Sequence, residues 1–149
     1  MKTFVKIMTA VLLVTVLVVS LVSCTSKYGD IRAAFEKEGY SENQSLESTS
    51  KAIKEELEKK DFAVEIHLLT KSNKITSALV VEFKSTQEMV EAYESSATIK
   101  GLVKDIADSE DVNAVYNALK DAGYAKDNCL VIPLSLIYAK EITNIVKSA

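Results

Sequence analysis

Phe62-Ala63-Val64-Glu65-Ile66-His67-Leu68-Leu69-Thr70, followed by Lys71-Ser72-Asn73-Lys74 and then Ile75-Thr76-Ser77-Ala78-Leu79-Val80-Val81-Glu82-Phe83, decides the fold. In the first segment Phe62, Val64, Ile66 and Leu68 alternate with Ala63, Glu65, His67 and Leu69, the period of two expected of a half-buried strand. The second segment repeats the pattern with Ile75, Leu79, Val81 and Phe83 on one face. The polar tetrapeptide between them is short enough to force an antiparallel hairpin.

Helical patterns flank the hairpin. Upstream, Tyr28, Ile31, Ala34 and Phe35 fall at helical spacing, with Asp30 as a candidate cap and Gly39 as a stop. Tyr40 to Leu46 is polar and reads as a loop or a short edge strand. Ser48, Thr49 or Ser50 can open a helix to about Lys60, with Ala52, Ile53 and Leu57 inward and Glu–Lys pairs at i, i+4 on its wet side. Downstream, Ser85-Thr86-Gln87-Glu88 has the spacing of a capping box, ahead of a helix burying Met89, Val90, Tyr93 and Ala97. Ile99, Leu102, Val103 and Ile106 form a further stripe with a bend expected at Gly101. Asp108 or Ser109 opens a helix with Val112, Val115, Tyr116 and Leu119 inward and Gly123 at its end. Leu130 to Leu134 reads as a buried strand stopped or pushed to an edge by Pro133. Ser135 is placed to cap a last helix carrying Tyr138, Ile142, Ile145 and Val146.

Together these give an α+β domain: an antiparallel hairpin plus one further strand, three or four strands in all, packed with about five or six helices. Both helical stripes between the hairpin and the last strand are expected on one layer of the sheet, through a right-handed crossover. One domain over residues 28–149 fits the length, and no internal repeat or Pro/Gly-rich linker divides it.

The N-terminus has a different character. Lys2 and Lys6 precede a run from Ile7 to Val22 that carries no charge, the layout of a secretory signal. That run is shorter than the roughly 20 residues a spanning helix needs; an uncleaved N-terminal anchor is the rival reading. The run ends in Leu21-Val22-Ser23-Cys24. This tetrapeptide resembles the lipobox of bacterial lipoproteins: an aliphatic residue, a tolerated residue, a small residue and an obligatory cysteine. The resemblance covers residues 1–24 only. It implies a signal peptide over 1–23, cleavage before Cys24, diacylglycerol and further acylation (palmitate) on Cys24, and a tether over 24–27. It also implies location on the outer face of the cytoplasmic membrane, or at the outer membrane if the cell is Gram-negative. Thr25 does not resemble the aspartate that retains some Gram-negative lipoproteins at the inner membrane.

Composition narrows the function. The chain has 149 residues, 18 basic and 21 acidic, for a formal net charge of −3. Losing the leader with its lysines makes it more acidic. With Arg32 as the only arginine and no basic stripe, no nucleic-acid surface is expected. Lipidation of Cys24 would leave Cys129 as the one thiol, without an intramolecular disulfide. Cys129 opens an apolar run, has no histidine or basic neighbour in sequence, and reads as a small buried hydrophobe.

Candidate chemistry is sparse. His67, the only histidine, shares a strand face with Glu65, and Glu82 of the paired strand falls on that face. Such a set could serve as an acid/base pair or half a metal site. Three donors alone fall short of the four ligands of a structural zinc site, so a solvated sheet-face histidine is expected and no metal or cofactor. Asp105, Asp108, Glu110 and Asp111 are the densest acidic cluster. They lack the alternating calcium-loop pattern and suit a helix start instead. No serine stands in a nucleophile elbow, and four glycines make no phosphate loop. The six tyrosines mostly fall on apolar stripes. The expectation is therefore a membrane-anchored lipoprotein with a binding or structural role and an unnamed protein or small-molecule partner. The alternative is a small envelope hydrolase using His67 with Glu65 or Glu82.

Overall fold

The computed structural model describes residues 27–72, 76–103, 106 and 109–149. The leader, the lipobox and Cys24 lie outside the described residues, as do Asp105 and Asp108. In order, the elements are α1 (Tyr28–Lys37), β1 (Tyr40–Asn43), α2 (Ser48–Lys59), β2 (Glu65–Lys71), β3 (Thr76–Glu82), α3 (Thr86–Ser95), α4 (Ala97–Leu102), α5 (Val112–Ala122), β4 (Ala125–Lys126), β5 (Cys129–Pro133), a 3-10 turn (Leu136–Tyr138) and α6 (Ala139–Ser148). The five strands are all antiparallel, in the order β1-β2-β3-β5-β4. The α+β class and the central hairpin are as read from sequence. The sheet is larger, because Tyr40–Asn43 joins as an edge strand and the two-residue β4 adds the other edge.

Both faces of the sheet are covered. Leu68, Leu79, Val81, Leu130 and Ile132 point to one side, where they pack with Ile53 and Leu57 of α2, Met89 and Tyr93 of α3, Ile99 of α4 and Val115 and Leu119 of α5. Leu69, Ala78, Val80, Cys129 and Val131 point to the other, against Tyr28, Ile31 and Phe35 of α1 and Ile142, Ile145 and Val146 of α6. This double coverage corrects the expectation of a half-buried hairpin. It explains the neighbouring apolar pairs Leu68-Leu69, Leu79-Val80 and Leu130-Val131, since a strand packed on both sides loses its polar alternation.

Local chemistry sets the element ends. Ser85 Oγ accepts from the Glu88 amide at 3.1 Å, and Glu88 lies in the first turn of α3. Asp111 caps α5 by accepting from the Asn113 amide at 2.9 Å. Gly123 ends α5 at φ +89°, where a Cβ would stand 2.4 Å from the Thr143 carbonyl oxygen. Pro133 is the last residue of β5, beyond the span that β4 covers, so its missing N–H faces no strand partner there.

Several expectations need correction. The break after α3 is at Ser96, not Gly101. Ser96 Oγ accepts from the Ile99 amide and opens a separate short helix, in which Gly101 is an interior residue. The stripe Ile99–Ile106 therefore spans a helix and its exit rather than one helix face, although Ile99, Val103, Leu102 and Ile106 all join the same core. Ala52 and Ala97 are exposed, while Ser50 and Ala92 take buried positions. Asp30 sits inside the first turn of α1, not at its cap, and Ser135 makes no capping bond through its side chain. The crossover stripes do share one layer, but β3 and β5 are antiparallel. The handedness rule for parallel crossovers therefore has no bearing on this link.

Candidate functional site

The register of β2 on β3 sets Glu65 directly opposite Glu82 and His67 opposite Val80. Side chains two apart on a strand share a face, so Glu65, His67 and Glu82 fall on the side that α1 and α6 cover. The sequence expectation that these three share a face holds, and the structure brings them together. One donor atom from each lies within 4.8 Å of the others. Glu65 and Glu82, though not His67, also line an open cleft of about 480 Å³ at the open end of the hairpin, together with Glu58, Phe62, Ala63, Val64, Phe83 and Lys84.

His67 is not the solvated side chain expected. Its side chain is only 19% exposed, because Tyr28 of α1 lies flat on the imidazole, with ring centroids 3.7 Å apart and planes within 7°. Nδ1 of His67 donates to Glu42 Oε1 at 2.9 Å. Glu42 belongs to β1, paired opposite Leu69, and its other oxygen lies 3.4 Å from the Arg32 guanidinium. The hydrogen bond from His67 holds the Glu42 carboxyl below the usual carboxylate range, against the opposing effect of burial and with help from the charges of His67 and Arg32. An ionised Glu42 can only accept, so the ring nitrogen facing it, Nδ1 of His67, carries a proton and Nε2 is the ring atom turned away from Glu42. Nε2 is buried and has no hydrogen-bond partner among the described residues. Burial, and then the negative charge of Glu42, push the Tyr28 phenol well above its ordinary value, so it stays neutral.

Tyr28, Arg32 and Glu42 were not singled out from sequence. They come from α1 and β1, and only the pairing of Tyr40–Asn43 with β2 brings Glu42 to His67. The one available signal was an acidic residue in a possible edge strand, and its register could not be known.

The remaining candidates resolve structurally. Cys129 is fully buried and paired opposite Glu82. Burial and then the nearby carboxylates of Glu82 and Asp127 push its thiol up to about 12, so it carries little thiolate at neutral pH. Glu110 is exposed and Asp111 serves as the α5 cap. Tyr40, Tyr93 and Tyr124 are buried, as is Tyr28. At the far end of the His67 face, Glu141 of α6 accepts from Lys71 at 3.0 Å and from Tyr40 at 3.1 Å, tying α6 to the hairpin.

No protein-family model, curated protein or solved structure matches the chain. Among the described residues no helix is long and apolar enough to cross a membrane.

Proposed function

We propose that this protein is a lipid-anchored cell-envelope lipoprotein whose α+β domain serves as a binding module beside the membrane. The observation that carries the reading is Leu21-Val22-Ser23-Cys24 behind an uncharged apolar run. Two acyl chains bind a membrane stably where one binds only marginally, at about 0.8 kcal/mol per buried methylene. The anchor also orients the domain. Only Thr25, Ser26 and Lys27 separate Cys24 from Tyr28, a span of at most roughly 15 Å at full extension. Tyr28 is the residue stacked on His67, so the His67 face would sit close to the lipid headgroups and the cleft beside it would open near the membrane.

Metabolic labelling with a fatty acid tests the anchor in cells making the full chain. Label should enter the wild type and be lost with Cys24→Ala, and the variant should retain its leader. Undiminished labelling of Cys24→Ala overturns the reading.

A second reading, a small envelope hydrolase, is favoured by the convergence of His67, Glu65 and Glu82 beside a cleft. It requires a general base within reach of a substrate. The stacking of Tyr28 over the His67 ring weighs against it. If Glu65→Gln abolished turnover of an envelope ester or peptide, the hydrolase would replace the binding module.

A further inference from the structure

We propose that Glu65, His67 and Glu82 form a binding site for one divalent metal ion of the zinc class, with Glu42 as the residue that orients His67. The inference goes beyond the lipid anchor and does not depend on it, since every residue involved lies on the sheet between residues 42 and 82.

The first support is geometric. Three donors from adjacent strands lie within 4.8 Å of one another. Around a tetrahedral ion with bonds of about 2.1 Å, donors stand roughly 3.4 Å apart. Closing the set therefore asks for small side-chain rotations, which the exposed Glu65 has room to make.

The second is the state of His67. A metal-ligating histidine characteristically passes its other ring N–H to a carboxylate, which sets tautomer and ring plane. Here Glu42 accepts a hydrogen bond from Nδ1 at 2.9 Å, Tyr28 locks the ring plane by stacking, and Nε2 is buried without a hydrogen-bond partner among the described residues. A buried polar atom with no partner is costly unless something satisfies it. A cation between Nε2 and the glutamates does so.

The third is the pair Glu65 and Glu82. Like charges directly opposite on neighbouring strands destabilise a sheet, yet the register places these two face to face. A divalent ion between them turns the repulsion into coordination. Glu58 adds a further acid to the rim of the adjoining cleft and Lys84 the opposing charge, and the cleft reaches Glu65 and Glu82 themselves. One imidazole with two carboxylates suits zinc or a neighbouring first-row ion better than magnesium, which prefers oxygen alone. Three protein ligands leave the fourth position to water or to an oxygen or nitrogen ligand delivered through the cleft.

Titration of the untagged full-length chain in detergent tests this, with zinc chloride as probe and magnesium chloride beside it. One zinc ion per chain should bind, and the Hε1 resonance of His67, the chain's only histidine, should move with saturation. Magnesium at the same concentration should do neither. Glu65→Gln and Glu82→Gln should each weaken zinc binding at least tenfold. Glu42→Gln, which does not touch the ion, should weaken it about 10- to 100-fold, the usual effect of losing an orienting partner. Because Glu65 is exposed, its variant should keep the wild-type melting temperature without zinc, which separates lost binding from lost folding. An unmoved His67 resonance, or zinc affinity unchanged in both Glu65→Gln and Glu82→Gln, overturns the proposal.

Discussion

The ring of Tyr28 lies on the ring of His67, centroids 3.7 Å apart and planes 7° from parallel, and so joins the first turn of the domain to the centre of its sheet. Tyr28 is 6% exposed and packs in the core formed with α6. The stack thus serves both the fold and the site: it closes the His67 face and keeps the imidazole from turning away from Glu42.

Tyr28→Ala should cost about 3 kcal/mol, as for other large-to-small aromatic changes in a core, and Tyr28→Phe less than about 1 kcal/mol because the stack survives. Urea unfolding measures both. The His67 Hε1 resonance reports the stack itself: loss of the ring current in Tyr28→Ala should move it downfield, and Tyr28→Phe should leave it near its place. An equal resonance in all three proteins would mean that the rings do not stack.

The hairpin, the inward positions Val115 and Leu119, the Ser85 cap and the Gly123 stop were legible because each is written in local spacing, whereas α2 and α5 have Glu47 and Asp111 at their N-caps rather than the residues expected, and Val112 is exposed. Ser85 and Glu88 are three residues apart, and Val115 and Leu119 four, so neither needs tertiary information. What was not legible depends on pairing across the chain. Strand β1 has the composition of a loop and becomes a strand only because β2 offers it a ladder from Lys71 to Leu68. The coverage of the second face follows from α1 and α6 meeting there, and it turns His67 from a wet residue into a shielded one. The break at Ser96 was missed because glycine is the stronger general breaker, whereas here a serine side chain accepts from the Ile99 amide, a free first-turn N–H of a new helix.

The two glycines on either side of α5 should respond in opposite directions. Gly123 adopts φ +89° and a Cβ there would meet the Thr143 carbonyl oxygen at 2.4 Å and Thr143 Cβ at 2.8 Å. Left-handed backbone costs an L-residue about 1–2 kcal/mol before any clash, and displacing α6 adds to it, so Gly123→Ala should lose more than about 3 kcal/mol. Gly101 lies inside α4 with nothing among the described residues within 4 Å of its Cβ position. Gly101→Ala should gain about 0.5–1 kcal/mol from reduced freedom of the unfolded chain. Thermal melts of the two variants give the signs directly.

Glu56 should make stability depend on acid. Burial alone would raise its carboxyl, but hydrogen bonds from Lys60, Ser96 and Thr98 outweigh it and hold the group below the usual range. The bond from Lys60 is 3.1 Å long. Since the folded value is depressed, the stabilisation is complete above the unfolded value of about 4.3 and is lost as pH falls through the folded one. Glu56→Gln should therefore be less stable than wild type at pH 7, by a few tenths to about 1 kcal/mol for a partly exposed pair. The two proteins should converge as the pH falls below the folded value. A gap that does not narrow as the pH is lowered would assign the effect to shape rather than charge.

Leu119 and Lys120 test the packing of the crossover. Leu119 is fully buried, in the core that also holds Met89, Ile99 and Leu130, and it projects from α5 onto the layer that α3 and α4 share. Its neighbour Lys120 is exposed. Leu119→Ala removes transfer energy and leaves a cavity in a close-packed interior, for a cost on the order of 2–4 kcal/mol. Domains are stable by only roughly 5–15 kcal/mol in total, so the urea midpoint should fall steeply. Lys120→Ala loses no buried surface and puts the best helix former at an exposed site, so its midpoint should stay within about 0.5 kcal/mol of wild type. Small effects of similar size from both would mean that α5 does not pack on the sheet through Leu119, and the layer joining the hairpin to β5 would have to be redrawn.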